Sequence, residues 1–219
     1  MSFRATVLRR SFFVVSLLGL IAGEKAFGQA ANSPIAFDNE GAITTSFVSA
    51  PNMGGGSASN GEIQWLKVEW HYGTTSNLTT PFLDEVTFKV WIEGRDLQAK
   101  DAPDPTQGIA IGLTGTVTYV NVPAGKDLYG VVYVNPNTLT RYSTAAGPTD
   151  FDRKFDVHVS AYIGGAEMDR FDKNKETDPN WYKQLRVVPN LVYRQNQCPF
   201  IVVDPDRYPA IKLQPDAGQ

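Results

Sequence analysis

Leu66, Val68, Trp70 and Tyr72 occupy one parity of a short stretch, while Lys67, Glu69 and His71 occupy the other. Apolar and polar positions alternating with a period of two mark a strand with one buried and one wet face. Ile63 and Trp65 carry apolar side chains on the polar parity, which predicts a bulge or a change of face near Trp65. The alternation returns in Val86, Phe88, Val90 and Ile92 against Thr87, Lys89, Trp91 and Glu93. It returns again in Phe155, Val157, Val159, Ala161 and Ile163 against Asp156, His158, Ser160 and Tyr162. Gly164-Gly165 then turns that strand into a hairpin with Ala166 to Phe171.

Further strands are predicted over Ala42 to Val48, Ile109 to Val122, Asp127 to Val134, Val187 to Arg194 and Phe200 to Val203. Gly112 and Gly115 are the expected bend points of the longest one. Loops fall over Ala50 to Gly61, which contains Gly54-Gly55-Gly56, and over the acidic, proline-rich Asp101 to Pro105. Short helical turns fit Asn135 to Tyr142, with Pro136 at its first position, and Trp181 to Leu185. Pro205, Pro209 and Pro215 mark an extended tail. No apolar period of 3.6 runs far enough for a long helix. About nine strands with wet faces and Gly/Pro turns therefore predict an all-β antiparallel sandwich, immunoglobulin-like in its layout. The Cys…Trp…Cys core of antibody domains is missing.

The first thirty residues read differently. Arg4, Arg9 and Arg10 precede an apolar run from Ser11 to Ala22, followed by small residues at Ala26, Gly28 and Ala30. This is the pattern of a secretory signal peptide, with cleavage after Gly28 or Ala30. Its apolar run is too short for a permanent membrane span. The expected division is a signal peptide over 1–30 and one β-sandwich domain over 31–219. The twin arginines leave folded export open beside the ordinary route.

Charge and cysteine narrow the partners. Removing the leader's four basic residues and one acidic residue takes the counts from 20 and 23 to 16 and 22, a net charge of −6. An acidic chain argues against a nucleic-acid partner and against electrostatic adhesion to anionic lipid. Nothing in the mature chain reads as an integral membrane segment. Cys198 is the one cysteine, so no disulfide forms within the chain, and the thiol is either buried or bridges two chains.

No catalytic or metal motif stands out. His71 and His158 lie on polar parities without a ligand or nucleophile at motif spacing, and read as solvated strand histidines. Gly55-Gly-Ser57-Ala-Ser59 lacks the last glycine of a nucleophile elbow. Asp150, Asp152, Asp204, Asp206 and the group Asp169, Asp172, Glu176 and Asp178 are oxygen donors for calcium, but without EF-hand spacing. Neither a metal nor an organic cofactor is expected. Trp91, between Lys89 and Glu93 on a polar face, is the one candidate contact residue. Three readings stand for it: a covering segment of the same chain, a protein partner, or a sugar ring.

Leu191-Val-Tyr-Arg-Gln-Asn-Gln-Cys-Pro-Phe200 and Asp204-Pro-Asp-Arg-Tyr-Pro-Ala-Ile211 resemble segments of a group of exported proteins from Verrucomicrobia. Glu85 to Arg95 and Gly115 to Asn121 add to the likeness. Some members of that group look like type IV pilus-associated proteins with an immunoglobulin-like fold. A pilin keeps its apolar N-terminal helix, whereas here the apolar segment precedes the expected cut. The resemblance therefore implies an accessory or surface component with an envelope or pilus protein as partner. The expected function is a non-enzymatic exported protein of the periplasm or outer cell surface, acting in type IV pilus assembly or cell-surface protein interaction. A non-catalytic carbohydrate-binding module is the alternative. A hydrolase with a site assembled from distant residues stands third.

Overall fold

The apolar parities of the alternating stretches meet across one interior. The computed structural model describes residues 33–38, 42–51, 64–75, 80–104, 106–142, 155–175 and 178–213. The leader, most of the glycine-rich loop, Asp150, Asp152 and Glu176 lie outside these residues. The strands are β1 (Ile35–Phe37), β2 (Ile43–Ser49), β3 (Gln64–Thr74), β4 (Phe82–Asp96), β5 (Ile109–Pro123), β6 (Leu128–Val134), β7 (Val157–Ile163), β8 (Ala166–Lys173), β9 (Arg186–Pro189), β10 (Val192–Arg194) and β11 (Ala210–Ile211). The helix α1 (Pro136–Tyr142) follows β6.

Two sheets form an all-β sandwich. The first runs β10, β6, β3, with β1 and β2 sharing the far side of β3. The second runs β8, β7, β4, β5, with β9 and β11 sharing the far side of β5. All pairs are antiparallel except β9 on β5, which is parallel. Both open flanks are stitched across. Phe37 N–H donates to Asp169 Oδ2 at 2.8 Å, and Arg194 Nε donates to the Thr116 carbonyl at 2.8 Å.

Trp70, Tyr72, Phe88, Leu66, Ile92 and Leu113 are among the largest fully buried side chains. The rings of Trp70 and Tyr72 lie 5.1 and 4.9 Å from that of Phe88, an aromatic knot worth more than its buried area alone. Glycine is required where it makes room for this core. A Cβ on Gly130 would fall into the Trp70 ring, and one on Gly115 would sit 2.7 Å from Val192 Cβ. Gly115 is thus a place of close approach inside a continuous β5 rather than the bend the sequence suggests.

Other expectations change. The single strand expected over Val187 to Arg194 is two, β9 on β5 and β10 on β6, with Asn190 at φ 64° between them. β2 pairs with β3 without interruption from Ser49 opposite Gln64 to Ile43 opposite Trp70, so no bulge occurs at Trp65. Trp65 instead faces outward beneath the C-terminal segment, its ring 5.8 Å from Phe200 and 5.9 Å from Tyr193. Phe200 to Val203 is not a strand; Pro199–Val202 forms a 3-10 turn that presses Phe200 flat on Tyr133 at 4.4 Å. β1 lies in a stretch with too little alternation to show as a strand, and its pairing with β3 supplies the order.

Two segments consequently roof the sandwich. Residues 195–208 lie over the outer face of the first sheet through Phe200 and Tyr208. The 3-10 turn Trp181–Gln184 lies over the outer face of the second, through Trp181 and Tyr182.

Candidate functional site

The polar parities of β4, β7 and β8 share the outer face of the second sheet, and pairing register decides which side chains meet. Trp91 stands opposite His158 and Lys89 opposite Ser160. On the other flank His158 stands opposite Asp172 and Ser160 opposite Arg170. A bulge in β8 produces this last register: Tyr162 pairs with Glu167 but Ala161 pairs with Asp169, leaving Met168 as the extra residue. Without that extra residue Phe171 would face His158. With it, Phe171 turns to the core and Asp172 reaches the imidazole.

The outcome is an ordered polar chain. His158 Nδ1 lies 2.7 Å from Asp172 Oδ1, and His158 Nε2 lies 2.7 Å from Ser160 Oγ. Trp181 Nε1 donates to the same Asp172 oxygen at 2.8 Å. An ionised Asp172 only accepts, so Nδ1 carries the proton in the neutral ring and Nε2 accepts from the serine hydroxyl. Beside it on the same face, the Tyr162 hydroxyl donates to Glu167 Oε2 at 3.1 Å. Burial, followed by the charge of Glu167, raises the Tyr162 phenol above its ordinary range. His158 and Ser160 are both fully buried. Tyr182 supplies the cover, its ring stacked on the imidazole at 3.6 Å and 16°.

His158 is therefore no solvated strand histidine: the bulge provides a carboxylate on one side and the roof excludes water from the ring. Trp91 belongs to the same cluster. It is half-buried, with its ring 4.9 Å from Tyr182 and 5.3 Å from His158. A segment of the same chain thus covers part of Trp91. One signal for the cluster was legible, since His158 and Ser160 are two apart on a strand and must share a face. The contribution of Asp172 was hidden by the bulge.

A second cluster fixes the other roof. Arg207 grips Glu69 with Nε at 3.1 Å and Nη2 at 2.8 Å, Tyr208 donates to Glu69 Oε2 at 2.5 Å, and Lys67 Nζ lies 2.7 Å from the same oxygen. Burial alone would raise the Glu69 carboxyl, but the hydrogen bonds from Arg207, Lys67 and Tyr208 outweigh it and hold the group down at about 2. Arg207 also covers Tyr129 at 4.0 Å, and Tyr129 stacks on His71 at 4.9 Å. His71 lies between Asp38 and Asp127, each 3.2 Å away, although Nε2 is out of line for a hydrogen bond to Asp127.

Two of the carboxylates considered for calcium, Asp169 and Asp178, hold backbone and side-chain groups of the chain itself. Asp169 accepts from the backbone of Phe37 and Arg170, and Asp178 accepts from Asn180 and Gln184. Burial raises the Asp169 carboxyl despite those bonds. Among the described residues no three His, Cys, Asp or Glu side chains converge as a metal site would need. Cys198 is a half-buried free thiol that donates to the Gln195 carbonyl at 3.3 Å, and burial pushes it up to about 11. No described helix is long and apolar enough to cross a membrane.

A protein-family model matches residues 37–214, and the chain belongs to that family. Among solved structures the chain is similar to the crystal structure of a protein from Akkermansia muciniphila. The two share 18% identity and a TM-score of 0.61, over 82% of this chain and 93% of the other. That likeness shows the sandwich fold. No curated protein matches the chain.

Proposed function

We propose that this chain, which belongs to the family whose model spans residues 37–214, is an exported surface or periplasmic protein that works by protein contact, in type IV pilus assembly or a related cell-surface interaction. The observation that carries this reading is the apolar character of the roof over the first sheet. Ile201 and Val202 are adjacent and 54% and 55% exposed, yet they sit on a turn anchored beneath by the Phe200–Tyr133 stack. A fixed, bare apolar pair on a rigid support is the arrangement of an interface anchor rather than of a loose loop. The partial cover of Trp91 by Tyr182 favours protein contact over sugar stacking, because a pyranose ring needs an open aromatic face. In this role the protein acts without turnover.

A crosslinked pull-down from the cell envelope tests the reading, with tagged wild type compared with the Ile201→Asp, Val202→Asp double variant. The expected result is enrichment of pilins or other envelope proteins by the wild type. The variant loses that enrichment while its melting temperature stays within about 2 °C, as substitutions of exposed residues usually allow. Enrichment no greater than with the tag alone would remove the proposal's support.

A further inference from the structure

The Asp172–His158–Ser160 chain has no part in a protein-contact role, and its order is that of a proton relay serving a nucleophile. We infer that Ser160 is a latent nucleophile for acyl transfer, with His158 as its general base, Asp172 as the positioning residue and Tyr182 as a cap over the site. This goes beyond the surface-interaction reading and does not depend on it.

Three observations support the assignment. Both hydrogen bonds are 2.7 Å long, and the carboxylate on Nδ1 sets the tautomer that leaves Nε2 free to take the serine proton. The pair is dry, which strengthens every electrostatic interaction in it. Finally, the imidazole is shielded from above by one phenol ring, held to the site by the Trp181–Asp172 hydrogen bond of the neighbouring residue.

The step balances without a further reagent. As Ser160 Oγ bonds to the carbonyl carbon of a small ester, its proton passes to His158 Nε2. Collapse of the tetrahedral intermediate breaks the ester C–O bond, and the proton moves on to the departing alkoxide. Water then repeats the sequence, releasing the acid and restoring the hydroxyl. Access requires the Trp181–Gln184 turn to lift, so the reaction is gated by that opening.

The test is covalent labelling of the full chain with a fluorophosphonate, in which the Ser160 Oγ–P bond forms and fluoride leaves. Adducts are located by peptide mass spectrometry. A single adduct at Ser160 is expected, absent in Ser160→Ala and slowed about a hundredfold in His158→Gln, the loss of a general base. Tyr182→Ala should label at least about tenfold faster, because local opening limits the rate. Trp181→Phe, which releases the Asp172 tether while keeping the aromatic bulk, supplies the same comparison if Tyr182→Ala does not fold. Asp172→Asn should label only as the pH becomes strongly alkaline, whereas a merely structural loss would lower labelling equally at every pH. No adduct at Ser160 in wild type or in a folded cap variant overturns the inference, as does an adduct that persists unchanged in Ser160→Ala.

Discussion

Replacing Glu69 by Gln keeps the shape of the clasp on the C-terminal roof and removes its charge. The carboxyl is held at about 2 against an ordinary value of 4.5, a gap of roughly 2.5 pH units, or about 3.4 kcal/mol at 1.36 kcal/mol per unit. That is an upper figure. The Arg207 side chain is 40% exposed and Lys67 20%, so solvent screens part of the interaction, and about 1.5–2 kcal/mol is the expected loss at pH 7. The sign with pH follows from the direction of the shift. A carboxylate whose folded value is depressed contributes its full stability above the unfolded value, near 4.5, and loses it as the pH falls towards 2.

Urea unfolding of wild type and Glu69→Gln at intervals from pH 7 to pH 2 measures this directly. Other carboxylates titrate in both proteins and cancel in the difference. The stability gap should hold steady from pH 7 to about 5 and close as the pH approaches 2. A gap that stays constant across the range would show that Glu69 acts through packing or neutral hydrogen bonds, and the electrostatic account of the clasp would be wrong.

The remaining predictions rest on the core and its edges. Gly130→Ala should cost more than about 3 kcal/mol and give little folded protein at 37 °C by circular dichroism, because its Cβ has no space beside Trp70. Tyr72→Phe should be neutral or stabilising by up to about 1 kcal/mol in a thermal melt, since its buried hydroxyl has no hydrogen-bond partner among the described residues. Cys198 should react with an aromatic disulfide reagent at pH 8 far more slowly in the native protein than in urea, because its thiol is half-buried and pushed up to about 11. Equal rates would contradict that placement.

Much of the sandwich can be read from alternation alone, because strands such as β3 and β4 bury one face against a common core and leave the other polar. Several of the failures share one physical source. Trp65, Trp91 and His158 lie on outer faces, and a sequence shows no sign that a distant segment carrying Phe200 or Tyr182 will cover them. A period-two pattern assumes that the outer face meets water. Here both outer faces are partly roofed, so Trp65 looked like a bulge and His158 looked solvated. β11, two residues long, carries no periodic signal, and its place beside β5 is a tertiary outcome.

The position of Asp172 shows how one inserted residue changes the chemistry of a face. The two-residue turn at Gly164-Gly165 places Ile163 opposite Ala166, and plain counting from there would set Phe171 against His158. That register would expose a phenylalanine on the outer face and turn Asp172 towards the core, costs of several kcal/mol for a buried unpaired carboxylate. The bulge at Met168 avoids both by moving the rest of β8 one residue along. Asp169 then meets the backbone of β1, Phe171 packs 6.3 Å from Phe37, and Asp172 meets the imidazole. The same correction that satisfies the core therefore builds the relay. Deleting Met168 should unfold the hairpin's packing and lose the His158 pairing together, whereas separate devices would fail separately.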